Sequence, residues 1–260
     1  MHVKTPVVAG LFYPGSPTDL QATVRELMRH AQTDTGQRPM ALIAPHAGYQ
    51  YSGPIAANAY ATVAPWASQI RRVAVLAPSH RLPFRGIATS SADAFQTPLG
   101  DIPVDREKVT ELARLPGVIG LDAAFAEEHA LEVQLPFLQT VLDEFTLVPL
   151  IVGQAESRDV SRVIEALSAD DTLIVVSSDL SHYHDYATCQ QRDRSTSAHI
   201  ENLEAAQVDP HDACGAYPIR GLLQAARHQG WQARTLDLRN SGDTAGDRSR
   251  VVGYGAYEFF

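Results

Sequence analysis

A chain of 260 residues with 45% hydrophobic and 20% charged residues can bury one substantial core, which excludes wholesale disorder and makes a single large domain the economical reading. Thirty acidic against 21 basic residues give a net charge of −9 with no dense Lys/Arg cluster, so a surface that tracks nucleic-acid phosphates is not expected. No apolar run approaches the ~20 residues of a membrane helix.

In chain order, residues 1–15 (MHVKTPVVAGLFYPG) lack the charged-then-apolar layout of a secretory signal, which makes the cytoplasm the default location. A helical period follows over 18–31, and the first buried strand is read at 41–44. Pro54 behind Gly53 then fits the first turn of a helix over 54–63, where a missing N–H costs nothing. A second apolar run covers 72–77, with helices expected over 106–115 and 127–145. Strands at 147–152 and 172–177 bracket a helix at 159–167, and further helices are read over 192–206 and 217–229, the last stopped by Gly230. Residues 240–250 form a polar stretch with two glycines, expected to be a mobile surface loop of the kind that covers sites. The strand 251–259 closes the chain. Apolar strands alternating with helices predict an α/β fold: one domain, a mostly parallel central sheet and helices on its faces.

Three of these buried strands lead into histidines. The run 41–44 enters Pro45-His46, 72–77 enters Pro78-Ser79-His80, and 172–177 enters Ser178-Asp179-Leu180-Ser181-His182. One histidine after a strand is commonly a loop hydrogen-bonding group. Three together point to convergence in the crevice beyond the carboxyl ends of the strands, where α/β sheets bind ligands. Asp179 and His182 lie three apart in a polar turn, a spacing that lets a carboxylate orient an imidazole or merely caps the turn. His184 is the alternative to His182. His129 and Glu132 would share one helix face, but the second histidine of H-E-x-x-H is missing, which leaves His129 a supporting place in the pocket. His2, His30, His199, His211 and His228 are read as surface residues. Cys214, in a small-residue segment before a helix, is set for a lowered thiol pKa and hence for metal ligation or nucleophilic attack, or else is buried and inert. Cys189 is read as structural.

These residues also carry a family resemblance. VAGLFYP at 8–14, PHAGYQYSG at 45–53, PSH at 78–80, TPLG at 97–100, EEHALEVQLPFL at 127–138, SSDLSHY at 177–183 and Cys214-Gly215 resemble, in order, the signature blocks of the Memo family. The chain is most similar to its prokaryotic branch, the AmmeMemoRadiSam system protein B, so the resemblance implies functional association with a radical SAM protein. It also implies a fold like that of class III extradiol dioxygenases, with His46, His80 and Cys214 as metal ligands and Asp179 and His182 as the remaining catalytic groups. Ring-cleaving relatives use a carboxylate where this chain has a thiolate. A soft donor admits copper or zinc beside Fe(II), which is the first expectation.

Three functions remain open on this reading. One is an Fe(II)-dependent oxidoreductase acting on a small substrate, aromatic ones included, or on O₂. The second is a peptide- or protein-binding module using Tyr49, Tyr51 and the helix start at Gly53-Pro54. The third is a metal-free hydrolase pairing Cys214 with His182.

Overall fold

The computed structural model describes residues 2–32 and 36–260. In chain order it holds β1 (Val3–Lys4), α1 (Pro17–Arg29), β2 (Ala41–Ala44), α2 (Tyr49–Ala61), β3 (Arg72–Pro78), β4 (Ile87–Thr89), β5 (Ala94–Thr97), β6 (Gly100–Pro103), α3 (Arg106–Leu112), β7 (Val118–Gly120), α4 (Leu135–Val141) and β8 (Thr146–Val152). There follow α5 (Ser157–Leu167), β9 (Thr172–Ser177), β10 (His182–His184), α6 (Tyr186–Glu201), α7 (Ala216–Gln229), β11 (Ala233–Asn240) and β12 (Val251–Phe259).

Four strands, in the order β2-β9-β3-β8, run parallel and form the heart of the main sheet. Their residues are buried on both faces, as continuous Val/Ile/Leu runs require. The flanks are antiparallel: β12 against β2, β10 and β11 against β12, and β4 against β8. The sheet is therefore mixed, and the closing strand 251–259 runs opposite to its neighbour β2 although its apolar run reads like the others. A small sheet of β1, β5 and β6 stands apart. Helices α1, α2 and α4 pack on one another, and α5 packs on α7, which crosses β3 and β9.

Local chemistry accounts for most helix ends. Ser16 caps α1 ahead of Pro17, and Gly230 ends α7 in the left-handed region at φ 73°. Helix α2 differs from expectation. It begins at Tyr49, whose N–H is held by the Phe12 carbonyl at 2.8 Å, so Pro54 lies inside the helix. The hydrogen bond Pro54 cannot make would have used the carbonyl of Gln50, an exposed residue where water can replace it.

Residues 127–131 are not helical either. The Glu128 carboxylate accepts the N–H groups of His129 and Ala130 at 3.0 and 2.9 Å, which holds the backbone in a turn until one 3₁₀ turn (Glu132–Gln134) starts α4. His129 and Glu132 therefore share no helix face. Glu132 instead receives the N–H groups of Val7 and Val8 and the Tyr13 hydroxyl, pinning the N-terminal segment. Helix α6 starts at Tyr186 because Asp185 caps it, and it ends at Glu201. The segment 240–250 is fastened rather than loose: Asn240 and Asp243 form a capping box, Asp243 accepts the Tyr186 hydroxyl, and the Arg248 guanidinium lies 4.5 Å over the Tyr186 ring.

No helix among the described residues is long and apolar enough to cross a membrane.

Candidate metal centre

Strands β2, β9 and β3 are adjacent and parallel, with Ala44 beside Ser177 and Leu76 beside Val176, so their carboxyl ends open onto one crevice. His46, His80 and the loop carrying Asp179 leave from there. His129 joins them from the turn before α4. The donor atoms of His46, His80 and His129 all lie within 4.8 Å of one another, with ring centroids 5.0 to 5.6 Å apart. Cys214 places its Sγ 3.4 Å from His46 Nε2.

Hydrogen-bond bookkeeping fixes which nitrogen each ring presents. The Ser177 hydroxyl lies 2.7 Å from the Ala130 carbonyl, which can only accept, and therefore donates there. Gln134 Nε2 donates to Ser177 Oγ at 2.7 Å and also faces the Ala44 and Pro45 carbonyls, while its Oε1 accepts from Tyr60. With its proton committed, Ser177 Oγ accepts from His46 Nδ1 at 2.9 Å. His46 thus carries its proton on Nδ1 and turns the Nε2 lone pair toward Cys214 and the cluster.

His80 is set the same way. Its Nδ1 donates to Glu128 Oε1 at 2.9 Å and its backbone N–H to Oε2 at 2.6 Å, so Nε2 is the nitrogen left for the cluster. Burial pushes the Glu128 carboxyl up, but the His80 ring and the backbone N–H groups of Ala130 and His80 outweigh it and hold the group at about 2.

The electrostatics favour neutral rings at His46 and His129. Burial, helped by the neighbouring His80 and His129, lowers the pKa of His46 well below the ordinary value, and burial lowers that of His129 as well. His129 Nδ1 is buried with no hydrogen-bond partner; the nearest carboxylate oxygen, on Glu128, is 3.4 Å away. Two oriented imidazoles, the His129 ring and a thiol meeting in one crevice are a donor set that a divalent transition metal satisfies, so the residues fit such an ion.

The expected lowering of the Cys214 thiol pKa is not found. Burial raises it, the Asp179 carboxylate adds to that, and the first turn of α7 begins only at Ala216. Cys214 also meets His46 rather than His182. Burial likewise raises the Asp179 carboxyl, whose Oδ1 accepts the backbone N–H of His46 at 2.7 Å. Asp179 therefore holds His46 in place and makes no hydrogen bond to His182.

His182 and His184 sit on β10, where Tyr183 is the extra residue of a bulge at φ 61°. Both line a cavity of about 870 Å³ together with His80, Arg192, His211 and Cys214. None of residues 240–250 lines it.

Other expected pocket residues lie elsewhere. Tyr49 is buried in the core, its hydroxyl donating to the Val133 carbonyl and its ring against Tyr13 and Phe137. Tyr51 is half-buried near Gly48. Gly53 and Pro54 are inside α2 and offer no free N-terminal donors. Glu128, Ser177 and Gln134 support the site without having been expected there, and His211, read as a surface residue, lines the cavity. Adjacency to His129 was the available signal for Glu128, and for His211 its place three residues ahead of Cys214.

Comparison with known proteins agrees with the geometry. A family model described as Memo-like protein matches residues 4–258. A MEMO1 family protein of Methanopyrus kandleri is 35% identical over 279 residues, covering 98% of each chain. Another, from Aquifex aeolicus, is 33% identical over 266 residues with 98% of each covered. Among solved structures, an uncharacterized protein of Escherichia coli K12 superposes with a TM-score of 0.53 at 14% identity, covering 84% of this chain and 99% of that one, a likeness of fold.

Proposed function

The chain belongs to the Memo-like protein family, and from that membership together with the geometry of the crevice we propose that it is a mononuclear metal-dependent oxidoreductase acting on a small substrate. The observation that carries this reading is the meeting of His46 and His80, each oriented through its Nδ1, with His129 and the Cys214 sulfur. Fe(II) is the metal that the resemblance to ring-cleaving dioxygenases favours, and imidazoles with a thiolate suit copper or zinc as well. A bound ion of this kind supplies Lewis acidity and, if redox-active, an electron path to O₂ or substrate.

The chain's own residues do the rest. Ser177 and Glu128 hold the two rings, and Asp179 fixes the backbone of His46. His182, on the wall of the same cavity, is the group placed to take a proton from a bound hydroxyl at its ring nitrogen. Hydrolysis by a Cys214–His182 pair has no support, since that thiol is held protonated and faces His46. Association with a radical SAM protein is part of the proposal and rests on the sequence resemblance; co-purification from native cells tests it.

Anaerobic purification followed by metal analysis tests the centre. The expected result is about one equivalent of iron in the wild-type protein and its loss in His46→Ala and Cys214→Ser. Equal metal content in all three proteins, or none in any, removes the basis of the reading.

A further inference from the structure

The ten histidines of the chain divide by what their rings touch. Away from the crevice, His30, His199 and His228 each meet a carboxylate, on Glu26, Glu204 and Glu165, at 2.7 to 2.9 Å, and His2 meets the Ser91 hydroxyl at 3.3 Å. His46 and His80 are held by Ser177 and Glu128. Apart from His129 in the trio, the histidines whose rings make no hydrogen bond among the described residues are His182, His184 and His211. All three line a cavity that opens onto His80 and Cys214.

Arg192 lines the same cavity and is held in place. Its Nε and Nη2 both donate to a single oxygen of Asp212, at 2.8 and 2.5 Å, and its Nη1 has no hydrogen bond within the described residues. The one carboxylate on the cavity wall, Asp209, already accepts the backbone N–H of His211 at 2.8 Å. Imidazole rings and a guanidinium nitrogen without partners among the described residues therefore line one cavity in a protein whose net charge is −9. An acceptor-rich group satisfies several such donors at once, and hydrogen bonds to an ionised acceptor are about twice as strong as neutral ones. The volume, about 870 Å³, lies in the range of small-molecule sites.

We propose that this cavity binds a small molecule through an oxyanion, a carboxylate or a phosphate, held by Arg192, His184 and His211, with the rest of the molecule reaching toward His80 and Cys214. Only the second half of this statement rests on the proposed metal centre. The anion site itself depends on groups that do not belong to the trio.

The test uses the full chain after treatment with EDTA, so that its result is separate from that of the metal analysis. Calorimetric titrations with benzoate, with its neutral isostere benzamide, and with inorganic phosphate distinguish the sources of the anion. The expected outcome is a dissociation constant of about 1 mM or below for one of the two anions, at least roughly tenfold tighter than for benzamide. Imidazole NMR signals of His184 and His211 should shift on binding. Arg192→Gln and His211→Gln should each weaken the anion about tenfold, and His228→Gln should leave it unchanged.

His184→Gln serves as a further variant should the loss of the Asp212 pairing unfold Arg192→Gln, as judged by thermal melting. Equal affinity for benzoate and benzamide together with no phosphate binding overturns the proposal. So does anion binding that the folded cavity variants leave intact, or that His228→Gln reduces as much. Anion binding in a protein that the metal analysis has found to take up no metal in any form would overturn the metal reading alone.

Discussion

The loop after β9 is flanked by two sets of the same side chains. On one side Cys214 meets Ser178 and the backbone N–H of Asp179, at 3.8 and 3.3 Å. On the other, Cys189 donates to Asp193 Oδ2 at 3.0 Å and accepts from the Ser181 hydroxyl at 3.4 Å, while the Ser181 N–H donates to Asp193 Oδ1. Burial raises the pKa of both thiols, that of Cys189 to about 12. What separates them is the neighbourhood. Cys189 is sealed: β12 covers it at Gly253, which exchanges backbone hydrogen bonds with Leu180 and Ser181, and a Cβ there would lie 1.8 Å from Asp193 Oδ2. Cys214 faces the Nε2 of His46 and a cavity. Cysteine, serine and aspartate make a structural knot when they satisfy one another and a reactive site when lone pairs are left over.

The largest expected contrast is in metal binding. His46→Ala or Cys214→Ala should weaken the metal on the order of a thousandfold, about 4 kcal/mol, in a competition assay with a chromogenic chelator, whereas Cys189→Ala should leave metal affinity unchanged. Equal losses in all three would erase the distinction between the sites. On the sealed side, Gly253→Ala forces a methyl group into Asp193 and should destabilise the protein by about 3 kcal/mol in urea unfolding, with little change in metal affinity where the protein is folded.

Two of the buried carboxylates, Glu128 and Asp193, should respond to pH in opposite directions. Glu128 titrates in the folded protein at about 2 against an ordinary 4.5, so the stability it contributes, about 3 kcal/mol, is complete above pH 4.5 and is lost as pH falls toward 2. Burial raises the Asp193 carboxyl instead, so its charged form opposes folding as pH rises. Glu128→Gln should destabilise the protein at pH 7 and flatten the acid limb of the stability curve. Asp193→Asn should be neutral or stabilising at pH 7. The smallest effect is on the support of the ligands: Ser177→Ala removes the acceptor for His46 Nδ1 and should weaken metal about 10- to 100-fold, with the ring's tautomer read directly by long-range proton–nitrogen NMR on the metal-free protein.

Much of the scaffold was legible in the chain. The strands 41–44, 172–177 and 251–259 have the boundaries that the sequence indicates, because a strand buried on both faces tolerates few polar side chains along its length. Short or half-exposed strands such as β4, β10 and β11 carry no such run and were not visible. The helix expected over 127–145 failed where the Glu128 side chain competes for backbone N–H groups, an effect helical periodicity does not register. Tyr49 was misplaced for a related reason. Its position beside His46 in the chain says nothing about direction, and α2 turns its ring into the core.

The sequence by itself determined the α/β class, the family and the fact that His46, His80 and the Asp179–His182 turn follow buried strands, since each of these is a local pattern in the chain. Only the tertiary structure decided that those strands are neighbours. It also decided that His129 completes the trio, that Ser177 and Glu128 select the nitrogens facing it, and that His211 and Arg192 stand at its mouth. The contacts responsible join residues far apart in the chain, His46 and Ser177 being separated by 131 positions, and a hydrogen-bond partner is set by strand order and side-chain direction rather than by proximity along the chain.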